Sequence, residues 1–94
     1  MYIVELLFKK NVIGYINKTD NENKWVYGVF TQNDNFYRYI DFFKAIVCED
    51  GFDETQFDGA LMEENNWSVN DNGELIGICI PAIYSDGFIA FRYR

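Results

Sequence analysis

The sequence predicts an α+β domain built on an antiparallel sheet of about six strands in β3-α2-β3 order, with two helices packed on one face. Segments rich in β-branched and aromatic residues occupy both ends of the chain and are separated by turn residues. Between them lies a stretch with the three- and four-residue apolar spacing of a helix. The 94 residues are 49% hydrophobic and contain one proline. This predicts a single globular domain over residues 1–94 that folds without a metal or a disulfide.

Three strands are predicted in the first third of the chain, at 2–8 (YIVELLF), 12–17 (VIGYIN) and 25–31 (WVYGVFT). The polar sequence KTDNENK at 18–24 predicts a long hairpin loop between the second and third strands. TQNDN at 31–35 predicts the break before the next element.

The first helix is predicted from a stripe of apolar side chains. The stripe comprises Phe36, Tyr39, Ile40, Phe43, Ile46 and Val47. Asn33 or Asp34 is expected to cap its start, and Gly51 is expected to end it in the left-handed conformation.

A second helix is predicted over 53–64. Asp53 is a good N-cap with Gln56 three residues later, and Phe52 can pack against Phe57 as a hydrophobic staple. Its apolar face is small, and Gly59 costs about 1 kcal/mol relative to alanine. We therefore expect a short helix that depends on its neighbours.

Three further strands are predicted at 67–70 (WSVN), 74–80 (ELIGICI) and 88–94 (FIAFRYR). DNG and SDG are turn signals between them, which favours an antiparallel meander.

No pattern in the sequence indicates a catalytic or cofactor site. Histidine is absent, which excludes imidazole as a base or metal ligand, and Cys48 and Cys79 lie in no spaced pair. The stretch NDNGEL resembles the middle of a calcium loop, but Ser68 and Cys79 fall where that loop needs an aspartate and a glutamate. We expect a non-enzymatic protein with no cofactor and no metal. A small hydrolase using a carboxylate pair is a remote alternative that requires a deep cleft.

The net charge of −7 is unevenly placed: residues 45–91 contain ten Asp/Glu and no Lys or Arg. Such a field disfavours nucleic acid and anionic membranes and favours a basic protein partner. The longest uncharged run, at 75–85, spans 11 residues, about half of what a membrane helix needs. The N-terminus lacks the pattern of a signal peptide. These features predict a cytoplasmic protein, and the asparagine- and isoleucine-rich composition is typical of AT-rich bacterial or phage genes.

The acidic segment 49–64 (EDGFDETQFDGALMEE) holds seven carboxylates and no basic residue. Helix capping accounts for Asp53 and Glu54, whereas like charges four residues apart and acids near a helix C-terminus are unfavourable. One interpretation is a solvated surface that keeps the domain soluble. The other is a binding region at 45–74 for a basic partner, with these candidate residues: Glu49, Asp50, Asp53, Glu54, Asp58, Glu63, Glu64 and Trp67.

In size and charge the chain is similar to bacterial immunity proteins that neutralise nuclease toxins, and to phage-encoded inhibitors that mimic DNA. This resemblance implies an inhibitor of a basic partner such as a toxin. The alternative is a homo-oligomer or accessory domain whose aromatic sheet face is the interface. Trp25 and Trp67 each open a predicted strand and serve as packing or as interface anchors. Lys9, Lys10, Arg92 and Arg94 are interpreted as solvated edge protection.

Overall fold

A computed structural model describes residues 3–47 and 57–94. Within these ranges the chain forms one sheet, one short α-helix and several 3₁₀ turns. The strands are β1 (Ile3–Phe8), β2 (Asn11–Glu22), β3 (Trp25–Gln32), β4 (Trp67–Asp71), β5 (Glu74–Gly77), β6 (Ala82–Ile83) and β7 (Phe88–Arg92). A 3₁₀ helix at Asp34–Tyr39 leads directly into α1 at Ile40–Ile46.

The sheet has seven antiparallel strands in the order β5-β4-β1-β2-β3-β7-β6. Its two edges meet, because the Cys79 N–H donates to the Arg92 carbonyl at 2.8 Å and the Arg94 N–H donates to the Gly77 carbonyl at 3.2 Å. Residues 74–83 therefore pair first with β4 and then with β7, and the sheet closes as a barrel. Pro81, which has no N–H to donate, lies between β5 and β6. The predicted strand at 74–80 ends as β5 at Gly77, and β6 at Ala82–Ile83 is a seventh strand outside the six predicted ones.

Three hairpins each have a two-residue turn in which both residues have positive φ. These turns are Lys9–Lys10, Asn23–Lys24 and Asn72–Gly73, and they resemble the type I′ turns whose twist matches that of the flanking strands. The prediction of a long loop at 18–24 is wrong. Strand β2 continues to Glu22, with a register shift between Lys18 and Asp20. Backbone pairing needs no apolar side chain, so these exposed polar residues extend the hairpin.

The inward side chains of the barrel form the core together with one side of the helical segment. The most buried residues include Leu6, Ile13, Ile16, Trp67, Val69, Ile78 and Phe91, each with no measurable exposure. Aromatic rings fill the end where β1 finishes and β4 begins: Phe42 stacks on Trp67 at 6.3 Å, and Phe36 stacks on Phe43 at 5.4 Å. The helical segment therefore covers one end of the barrel.

The first helix begins where the sequence predicts. The Asn33 side chain accepts a hydrogen bond from the Asn35 N–H at 3.0 Å, which confirms it as the cap. The first six residues, however, form a 3₁₀ helix and only seven continue as α1. The predicted end at Gly51 lies outside the described residues.

The second helix predicted at 53–64 is wrong for its described part. Residues 57–66 contain two 3₁₀ turns, at Gly59–Met62 and Glu64–Asn66. The Asp58 carboxylate accepts from the Ala60 N–H at 3.0 Å, so the chain starts a new cap inside the predicted helix. The predicted cap at Asp53 lies outside the described residues. The coarse class stands as a sheet-rich α+β domain, and residues 3–47 and 57–94 contain one α-helix, not two.

Across residues 3–47 and 57–94, no helix is long and apolar enough to cross a membrane.

Candidate binding surfaces

The structure describes only some of the residues of the predicted acidic site. Glu49, Asp50, Asp53 and Glu54 lie outside the described residues. Asp58, Glu63 and Glu64 are exposed on the 3₁₀ segment 57–66, at the end of the barrel that the helical segment covers. The structure thus brings three of the predicted carboxylates onto one short stretch of surface.

The exposed acids of this stretch have few local partners. Asp58 caps the turn at Gly59–Met62, which gives it a structural role. Within the described ranges the only ion pair joins Lys18 Nζ and Asp71 Oδ2 at 3.8 Å. Glu63 and Glu64 therefore form no ion pair with a cation of those ranges.

Trp67 is not a surface residue. Its side chain is fully buried, and its indole N–H donates to the Leu61 carbonyl at 2.9 Å. The structure therefore supports the packing interpretation, and Trp67 is removed from the candidate partner-binding surface. Because Leu61 lies in the turn between Asp58 and Glu63, Trp67 instead holds the acidic segment against the barrel from inside.

A second surface is the outer face of β3 and β7, which we call the aromatic face: Trp25, Tyr27, Val29 and Phe88. Their exposed fractions are 40%, 38%, 41% and 53%. Val29 pairs with Phe88 across the two strands, and directly opposed residues share one side of a sheet. Solvent-facing positions of a sheet are usually polar, so this face is a candidate interface.

A third surface is a groove of about 380 Å³ lined by Lys9, Lys10, Asn65, Asn66, Ser68, Leu75, Gly77 and Arg94. Its lining contains three basic residues and no Asp or Glu. The predicted edge-protecting lysines and one of the arginines are thus brought together. No sequence signal could have shown this, because the turn after β1 and the end of the chain become neighbours only through closure of the barrel.

A larger cleft of about 730 Å³ lies between α1 and the loop after β6. It is lined mainly by apolar and uncharged side chains, among them Phe30, Phe43 and Ile83, with Lys44 as its charged group. The hydrolase alternative requires an acid with a raised pKa inside a deep cleft, and this cleft contains no carboxylate.

One titratable group lies at the boundary between core and surface. Partial burial, assisted by the negative charge of Asp71, raises the pKa of the Tyr93 hydroxyl. The ring of Tyr93 packs edge-on against Phe91 with centroids 5.7 Å apart.

Comparison of the chain with models of protein families, with curated proteins and with solved structures finds no match.

Proposed function

We propose that this chain is a non-enzymatic binding domain that engages a basic protein through its acidic 45–74 region. Inhibition of a basic toxin, as immunity proteins perform it, is the specific form of this proposal. The observation that carries it is the group of exposed acids on 57–66, of which Glu63 and Glu64 have no described ion-pair partner. A basic surface would relieve their repulsion and accelerate encounter with the partner.

The attachment of residues 57–66 to the barrel also supports the proposal. The Trp67–Leu61 hydrogen bond at 2.9 Å and the Asn66 side-chain bond to the Ala60 carbonyl at 2.9 Å attach residues 60–67 to each other and to the barrel. Charges on an attached segment lose less conformational entropy on binding than charges on a free one.

Affinity capture from the cells that make the protein tests whether partner binding depends on where the acidic residues lie or only on the net charge. In one variant Glu49, Asp50, Glu63 and Glu64 become Gln or Asn. In the matched control, four exposed acids outside the region (Asp20, Glu22, Asp34 and Asp41) are changed in the same way. Both proteins carry the same net charge. We expect wild type and control to retain a basic partner that moderate salt elutes, and the first variant to lose it. Equal capture by all three proteins would contradict the proposal.

The aromatic face favours a second candidate function, self-association of the chain. Glu22, Trp25 and Arg92 are directly opposed across β2, β3 and β7. A second copy related by a twofold axis can place the arginine of one chain near the glutamate of the other while covering the rings.

Sedimentation velocity over a range of concentrations tests this second candidate. The variants Val29→Lys and Phe88→Lys place a charge inside the aromatic face, whereas Tyr37→Lys changes a side chain that is 63% exposed on the 3₁₀ helix. We expect the first two variants to be monomers and the third to associate as the wild type does. A wild type that stays monomeric at all concentrations rules the interface out.

A further inference from the structure

The groove beside the β1–β2 turn has a fixed cation at its wall. The Arg94 guanidinium donates from Nη1 to the Asn65 side chain at 2.6 Å and from Nη2 to the Trp67 carbonyl at 3.1 Å. A side chain at position 77 would overlap this guanidinium, so Gly77 is what lets it lie against the strand. Its remaining N–H groups form no hydrogen bond within the described part of the chain.

A serine hydroxyl lines the same groove. Ser68 is 91% buried. Among the described residues it is the single buried residue with a polar side chain. It lines the groove, and its side chain forms no hydrogen bond with any residue in 3–47 or 57–94. Ser68 pairs with Gly77 across β4 and β5, so the hydroxyl lies beside the position over which the guanidinium is held. No buried side-chain nitrogen or oxygen of the described residues lacks a hydrogen-bond partner, so this unbonded hydroxyl oxygen is open to the groove, where it can donate to a ligand.

The two lysines of the groove adopt an unfavourable backbone conformation. Lys9 and Lys10 have φ of 50° and 69°, a region that favours Asn and Gly. The comparable turns at 23–24 and 72–73 both begin with Asn. Lys9 also lies with its ammonium 5.8 Å from the Phe8 ring centroid. Lys24 has the same type of conformation, with φ of 79°. The turn at 9–10 differs in that both of its positions hold cations and both line the groove.

From these three observations we propose that the groove binds the phosphoryl group of a small phosphorylated molecule. The three cations exceed the charge of about −2 on a phosphate monoester. The phosphate oxygens accept from the Arg94 fork, the lysine ammonium groups and the Ser68 hydroxyl. The volume of about 380 Å³ fits a small ligand. The net charge of −7 repels a nucleic acid polyanion. The groove borders the 45–74 region through Asn65, Asn66 and Ser68. Its three cations lie outside that region and outside the aromatic face, and the proposal does not rest on either proposed function.

Titration of the ¹⁵N-labelled protein at constant ionic strength tests the proposal, with inorganic phosphate, phenyl phosphate and acetate as probes. We expect both phosphates to give saturable shifts at Lys9, Lys10, Ser68 and Gly77, with acetate at least tenfold weaker. Ser68→Ala is expected to weaken phosphate binding about tenfold or more, because a hydrogen bond to a charged group is lost. Acetate binding as tight as phosphate would overturn the phosphoryl assignment.

A double variant that stabilises the turn but removes its two cations distinguishes loss of phosphate binding from loss of folding. Replacing Lys9–Lys10 by Asn–Gly supplies the preferred residues of this turn, so the protein should unfold at a higher temperature while phosphate affinity falls at least tenfold. Lys24→Gln, in the corresponding turn of the next hairpin, is the control and should bind as the wild type does. Unchanged phosphate affinity in the Asn–Gly variant, or equal loss in the Lys24 variant, would overturn the site.

Discussion

Trp25 and Trp67 lie in two regions of the barrel that differ in how far they are covered. Each residue is the first of its strand. Trp25 is followed by the apolar run VYGVF, and Trp67 by the alternating sequence SVN. Trp67 has no measurable exposure and lies among Phe8, Phe42 and Phe43 at the covered end of the barrel. Trp25 is 40% exposed on the aromatic face, between Glu22 and Arg92.

The difference between the two tryptophans comes from what lies above each strand face. The inner side at Trp67 is covered by the helical segment and by the turn that supplies the Leu61 carbonyl. No described element packs over the outer side of β3. The same residue at the same position in a strand therefore differs in burial, and of these two regions the one around Trp25 leaves apolar surface for another molecule.

The largest expected effect is that of Trp67→Ala. Removal of a fully buried tryptophan leaves a cavity, which costs about 3–5 kcal/mol in the free energy of unfolding. Urea unfolding followed by circular dichroism measures it. A loss below about 1 kcal/mol would contradict the packing role, and Trp25→Ala is the matched control.

A smaller effect is expected for Trp67→Phe. The ring volume is mostly kept, but the Leu61 carbonyl loses its indole donor, which costs about 1–3 kcal/mol. Because this bond holds the 3₁₀ turn at Gly59–Met62, amide hydrogen exchange should accelerate near Leu61 and remain unchanged in β2–β3. Uniform acceleration throughout the sheet would mean that the bond has no local role.

Trp25→Ala is expected to lower stability by less than about 1 kcal/mol, the scale of one cross-strand pair. In the wild-type monomer, acrylamide should quench Trp25 fluorescence strongly and Trp67 fluorescence weakly. Single variants with phenylalanine at 25 or at 67 assign the two emissions. Weak quenching of Trp25 at low protein concentration would show that the aromatic face is covered even in the monomer.

The smallest effect concerns Tyr93, which lies between the two regions. Because burial and Asp71 raise its folded-state pKa, the folded protein retains the proton longer than the unfolded chain. Its contribution to stability is fully present below the unfolded value of about 10 and is lost as the pH rises through the folded pKa. Absorbance titration of tyrosinate, with Tyr93→Phe for assignment, should show this high-pH group, and Asp71→Asn should lower its pKa. No change in the variant would contradict the Asp71 contribution.

Strands and tight turns were predictable because their signals are local. Alternating β-branched and aromatic residues located β1, β3, β4 and β7 to within a few residues, and Asn72–Gly73 forms the predicted turn. Asn33 was recognisable as a cap from its position before an apolar stripe. The extension of β2 through five polar residues was not, since it depends on backbone pairing with β3.

The candidate surfaces were predictable only in part. The exposed acids Asp58, Glu63 and Glu64 follow from composition, since charged residues are rarely buried. The burial of Trp67 depends on the helical segment that covers it, and the groove depends on Arg94 reaching across Gly77 to Asn65. Neither contact leaves a signal in the local sequence, because the partners are separated by many residues.

By itself the sequence determined a sheet-rich domain, the position of most strands, and a strong excess of negative charge in its second half. The tertiary structure alone decided that residues 74–83 join both edges of the sheet, that one tryptophan is core and the other surface, and that Lys9, Lys10 and Arg94 share a groove. The physical reason is that propensity, turn chemistry and net charge act over a few residues or as sums. Closure of a barrel, in contrast, is a single cooperative arrangement of contacts between distant segments.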